Sequence, residues 1–272
     1  MSGKIFPLLI PLFSFLIFSC TTKKPVTEGT TFVIVSHSQE VELGRESAQK
    51  ILGKEKLVTD PRYTRIVKET FRKLVEALPP KHRDGYKWNV YVLDRKEVNA
   101  FALPSGDIFL FQGLLDFISN DEGMLATVLS HEIAHVILRH SAEKITMATL
   151  ARVGELLLLN KIPPENRGLA REFYELGVNI AFLMPYSRQQ EKEADAVGLL
   201  LLFRAGYNPQ KAVYLWRKFT EGFAKGEPPE WFSTHPSSER RLRYISRLVR
   251  FLEENPQYIS EFRLPAKVME KL

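Results

Sequence analysis

Cysteine is almost absent from this chain: Cys20 is the only one among 272 residues. An intramolecular disulfide is therefore excluded, as is a metal cluster held by thiolates. Nor is there a run of the roughly 20 apolar residues that a membrane-crossing helix needs. The stretch from Ile5 to Phe18 is shorter and holds Pro7 and Pro11, while 148–159 contains Arg152 and Glu155. No internal repeat of 20 to 50 residues is visible, which argues against an appended helical-repeat domain. Basic residues interleaved with aromatics are also missing, so nucleic acid is not an expected partner despite a formal charge of +6. That mild basic balance is compatible with an anionic membrane surface or acidic partners.

What is present has ordinary globular composition, 44% hydrophobic and 26% charged, enough to bury one full-sized core. Lys4, the apolar stretch after it and the small Ser19 read as a secretory leader over 1–19. Cys20 follows Ile17-Phe18-Ser19 in a pattern that resembles the lipobox of bacterial lipoproteins. The expectation is a lipidated Cys20, with 20–36 as a polar tether. The competing reading is a plain leader with an incidental cysteine.

Periodicity then gives the organisation. Helices are expected from about Gln39 and from Asp60-Pro61, the second ending at Pro79-Pro80. Strands are expected at 88–93, 100–103 and 108–111, with a turn at Pro104-Ser105-Gly106-Asp107. Everything later has a helical pattern, over about 121–141, 143–160, 165–183, 187–205, 209–224 and 236–254. The fold class is α+β, mostly helical with a small sheet, in one domain over 37–254 followed by a tail over 255–272.

Within the apolar helix from Met124 onward, His131 and His135 stand four residues apart and share a face. Glu132 lies about 100° round from His131, placed to take a proton from a water held by a metal. The plainer reading is a pair of core histidines, but two imidazoles and a carboxylate buried without partners would cost several kcal/mol. A third ligand is still needed. His140 lacks the preceding glycine that would turn the chain, with Leu138 standing there, and is expected to point away. Glu191 suits the role: it shares a helix face with Asp195, which can accept a hydrogen bond from a ligand imidazole. Lys192 and Glu193 fit a solvated face.

These residues together carry a resemblance. His131-Glu132-Ile133-Ala134-His135-Val136, then Arg139-His140, then Ser187-Arg188 with Glu191, Ala194 and Asp195, resemble the HtpX and CAAX-prenyl-protease type of zinc metallopeptidase. The nearest look is to its soluble periplasmic, BepA-like and lipoprotein branch. The resemblance implies a zincin-type domain, one Zn2+ held by His131, His135 and Glu191, and Glu132 as the base. It also implies that Asn99, Ala100 and Phe101 form a strand whose edge binds extended substrate. Thr234-His235-Pro236 with Arg241 resembles the family's late motif, which implies that His235 or Arg241 stabilises an oxyanion. The expected function is a zinc endopeptidase of the bacterial envelope, periplasmic and anchored to the outer membrane, acting on unfolded or misassembled proteins. A zinc-stabilised, chaperone-like binding module is the alternative, against which the retention of Glu132 argues.

Overall fold

The computed structural model describes residues 21–158, 185–222, 229–235 and 239–272. The leader, Cys20, Pro236 and the helix expected over 165–183 lie outside the described residues. Two short antiparallel strands come first, β1 (Thr21–Lys23) and β2 (Thr30–Phe32), and then α1 (His37–Leu52). α2 (Pro61–Ala77) starts where Asp60 accepts from Arg62 N–H and Pro61 fits the first helical turn.

A three-stranded sheet follows, β3 (Asn89–Leu93), β4 (Ala100–Ala102) and β5 (Asp107–Phe111), in the order β3-β5-β4. β5 runs parallel to β3 and antiparallel to β4, with Phe101 opposite Phe109. All five residues of β5 are buried, as its central position requires. The outer side of β3 is partly covered, since Val58 N–H donates to Val92 O and Asp94 N–H to Lys56 O. β4 forms the opposite edge.

The remaining long helices are α3 (Glu122–Ile137), α4 (His140–Leu158), α5 (Arg188–Arg204), α6 (Gln210–Gly222) and α7 (Glu239–Glu254). α3 is buried from Leu125 to Ile137 and runs through the middle of the main core. Leu74, Leu114, Leu129, Ile133, Leu200, Phe219 and Leu248 pack in that core from different elements. The fold is thus α+β and mostly helical.

Two boundaries differ from those expected. Residues 21–36 do not hang as a tether: Val33 and Val35 pack on Ala142, Ile145 and Ala148 of α4, and Val26 joins the main core. The tail over 255–272 sends Phe262, Leu264 and Met269 into that core, and Leu264 N–H donates to Val26 O. The apolar run Phe32-Val33-Ile34-Val35 in the first segment and the scattered Phe262, Leu264 and Met269 in the second are too short or too irregular to show a helical period. A third difference concerns the helix expected over 121–141, which stops at Ile137. Arg139 has φ +58°, and its guanidinium donates to Glu40 Oε1 (2.6 Å) and Val35 O (3.0 Å). That left-handed residue ends one helix and starts the next.

Candidate metal centre

α3 presents His131, Glu132 and His135, and α5 presents Glu191 and Asp195. α5 begins at a capping box between Ser187 and Gln190, which fixes where its first turn lies. The two helices pack closely at Gly198, where an added Cβ would come 3.2 Å from the His131 backbone. This close approach brings the ligands of both helices to one point.

His131, His135, Glu191 and His235 each offer one ligand atom, all within 4.8 Å of one another, and all four are buried. His131 Nε2 and His135 Nε2 are 3.1 Å apart, and His135 Nε2 is 3.4 Å from Glu191 Oε1. His235 Nδ1 lies 3.0 Å from Glu191 Oε1 and 3.2 Å from His131 Nε2. Imidazole and carboxylate donors converging in a dry interior are the donor set that zinc takes, so the residues fit that ion.

Glu132 lies outside this group. Its Oε1 is 3.2 Å from Trp231 Nε1 and 3.5 Å from His235 Nε2, so the indole N–H holds it beside the donors. Asp195 Oδ1 stands 3.1 Å from His131 Nδ1. Arg241 closes the arrangement, pairing with Glu191 and donating from Nε and Nη2 to Asp195 at 2.7 Å each. Its guanidinium also lies 3.8 Å over the Trp216 ring.

Without the metal, the charges sort themselves by partner. Burial works against the imidazolium of His131, but hydrogen bonds and charges from Asp195 and Glu191 raise it to about 9. His135 is held well below its usual value by burial. Burial would raise Glu191, yet Arg241 and His235 keep it far below the ordinary carboxylate range.

The structure brings His131, Glu132, His135, Glu191, Asp195, His235 and Arg241 together. Arg241 faces the two carboxylates, Glu191 and Asp195, and clamps them; the oxyanion role expected of it would have to be filled from this paired position. Ala100 and Phe101 lie on β4 and Asn99 just precedes it, with Val98 O accepting from Trp231 N–H at 3.2 Å. Asn99 Oδ1 already accepts the Ala100 N–H, and the Phe101 ring stacks on Phe109.

Glu193 is not on a solvated face. It is 3% exposed and bonded to Lys24 and His140. His140 is outside the donor group, as expected, but it does not point away: the turn at Arg139 brings its Nδ1 to 2.9 Å from His135 Nδ1. Two further residues escaped the motif reading. Tyr186 stacks on His135 at 3.9 Å, and Lys144, over the Tyr186 ring, is lowered to about 8 by burial. Tyr186 sits next to the Ser187 cap, the one sequence signal that marks it; Lys144 carries none.

The model of Peptidase family M48 matches residues 61–249. The Mitochondrial metalloendopeptidase OMA1 of Saccharomyces cerevisiae is 31% identical over 262 residues, covering 90% of this chain and 74% of that protein. The Metalloendopeptidase OMA1, mitochondrial, of Homo sapiens is 36% identical over 171 residues, 60% of this chain and 32% of that protein. The Beta-barrel assembly-enhancing protease of Escherichia coli is 30% identical over 217 residues, 76% of this chain and 43% of that protein. The chain therefore spans about three quarters of the first relative and less than half of the other two.

Proposed function

This chain belongs to peptidase family M48 and is a zinc metalloendopeptidase; from that premise we propose that His131, His135 and Glu191 hold its zinc while Glu132 moves the proton. The observation that carries the assignment is the buried donor group with a carboxylate beside it but outside it. A purely structural metal site has no use for such a neighbour.

His131, His135 and Glu191 would hold a zinc ion, which when bound would lower the pKa of a water to about 7 and polarise the scissile carbonyl. Glu132 takes the proton from the attacking water and delivers it to the leaving amine. The Trp231 indole N–H holds the receiving carboxylate in place. His235 lies between the donors and Glu132, from where an N–H reaches the developing oxyanion. Asp195 and Arg241 orient His131 and Glu191.

Extended substrate adds to the β4 edge at Asn99, Ala100 and Phe101. A strand docking there displaces the Asn99 side chain from the Ala100 N–H. Only a locally unfolded chain has a free strand to offer, which supports unfolded or misassembled proteins as the substrates. The setting is a bacterial cell envelope, in the periplasmic branch of the HtpX-type peptidases. The similarity to the Escherichia coli protein and the leader-like residues 1–19 support this, whereas the OMA1 relatives are named as mitochondrial. The anchor is a lipid on Cys20; no described helix is long and apolar enough to cross a membrane. Radiolabelled palmitate entering the wild-type chain but not Cys20→Ser is the expected result, and no incorporation removes the anchor.

The deciding experiment is hydrolysis of an unfolded protein by the purified chain and by Glu132→Gln. Both variants should bind zinc equally, with kcat of the mutant lower by about 10²-fold or more. Equal cleavage by the two would sink the assignment and leave the binding-module reading. In the same assay His235→Ala should keep its zinc and lose kcat. Loss of the metal instead would make His235 a ligand.

A further inference from the structure

His135 turns Nε2 to the donor group and Nδ1 to a second line of buried polar groups. His140 Nδ1 lies 2.9 Å from His135 Nδ1, and His140 Nε2 lies 3.0 Å from Glu193 Oε2. Glu193 Oε2 also accepts from Lys24 Nζ at 2.6 Å, and the same ammonium is 2.8 Å from Glu143 Oε1. His135, His140, Glu193 and Lys24 are 1%, 0%, 3% and 7% exposed. A lysine this deeply buried is rare unless it is paired.

The direction of these hydrogen bonds is forced. An ionised carboxylate can only accept, so His140 Nε2 must carry a proton. In the neutral ring His140 Nδ1 is then a bare acceptor. With His135 ligating through Nε2, its ring proton sits on Nδ1, and a second proton on His140 would then set two N–H groups head to head at 2.9 Å. His135 Nδ1 must therefore be the donor, and His135 Nε2 is left with its lone pair facing the donor group. Only that tautomer can ligate a metal through Nε2. Glu193 stays ionised in the interior because Lys24 neutralises it.

Lys24 reaches this place from the segment just after Cys20, not from the motif helices. Lys24 N–H donates to Gly29 O (2.7 Å), turning the chain between β1 and β2. Thr31 Oγ1 donates to Glu143 at 2.5 Å and Ile34 N–H donates to Thr146 Oγ1 at 3.1 Å. The segment is thereby stitched along α4.

We infer that Lys24 is a positioning residue for the metal centre, acting through Glu193 and His140 to fix His135 as the tautomer that presents Nε2. The residues after Cys20 are on this account part of the metal site as well as the link to what precedes them. The inference rests on the zinc peptidase reading only for the identity of the ion.

The test is zinc affinity of the full chain by chelator competition, with circular dichroism as the check on folding. Lys24→Met should weaken zinc binding by about 10- to 100-fold, and Lys24→Arg should restore most of it. In a His140→Phe background, Lys24→Met should cause no further loss, because the path is already cut. Imidazole ¹⁵N shifts should show His135 protonated at Nδ1 in the wild type and a tautomer mixture in Lys24→Met. A folded Lys24→Met that binds zinc like the wild type overturns the inference, as does a loss of equal size with and without His140. Should Lys24→Met not fold, Glu193→Leu reads the same link, since it removes the acceptor of the His140 Nε2–H; unchanged zinc affinity there also overturns it. Either failure would leave the Glu132→Gln comparison untouched, so the two readings fall separately.

Discussion

A guanidinium buried between two carboxylates behaves unlike the exposed ion pairs that cover this chain. Arg72–Glu76 and Lys56–Asp94 are solvent-screened pairs that add little to stability. Arg241 is 7% exposed and neutralises both Glu191 and Asp195. Arg241→Met should cost about 3–5 kcal/mol in urea unfolding of the metal-free protein, because it leaves two buried carboxylates with only the His131 imidazolium to offset them. Arg72→Ala, measured beside it, should leave the unfolding midpoint almost unchanged. Equal small effects would mean that the clamp contributes nothing. The sequence showed Glu191 and Asp195 through their four-residue spacing, because that spacing is a property of one helix. It could not show Glu193, which sits among polar neighbours on the same helix and whose burial depends on Lys24, 169 positions away.

At the scale of elements, the site is a contact between two helices. Gly198 is needed for close approach: an added Cβ would meet His131 N and Cα at 3.2 Å, and these are backbone atoms that can give only by moving the helix. Gly198→Val should therefore push α3 from α5, destabilise by about 1–3 kcal/mol and reduce zinc affinity, read by thermal unfolding and metal titration. Gly198→Ala should lie between it and the wild type. Retention of full zinc affinity by Gly198→Val would show that the ligands do not depend on this spacing. The helices themselves were legible from their period and caps, as with Asp60-Pro61 and Ser187. The break at Arg139 was not, since a left-handed arginine is selected by Glu40 and Val35 O from the far N-terminal side.

At the scale of the whole molecule, the segment around Val26 and the C-terminal segment both pack into the core. His82, packed on Phe262 from the C-terminal segment, is lowered to about 4 by burial. Its ordinary value is 6.5, so below that pH the unfolded chain takes up a proton that the folded one refuses. Stability should therefore fall as pH drops from about 6.5 towards 4, and less steeply in His82→Gln. Identical pH profiles of the unfolding midpoint for the two proteins would show that His82 is not the cause.

The sequence by itself determined the helical periods, the strand triplet, the pair of histidines with its glutamate and the second helix with Glu191 and Asp195. Each of these is a local property, written in spacing along one element. Only the tertiary structure decided that His235 sits between Glu191 and Glu132, that Arg241 clamps carboxylates, and that Lys24 and His140 stand behind His135. His140 meets His135 across five positions only because the chain turns at Arg139; the others are contacts across 44 to 169 positions, where a residue's partner is fixed by how elements pack, which no spacing within one element records.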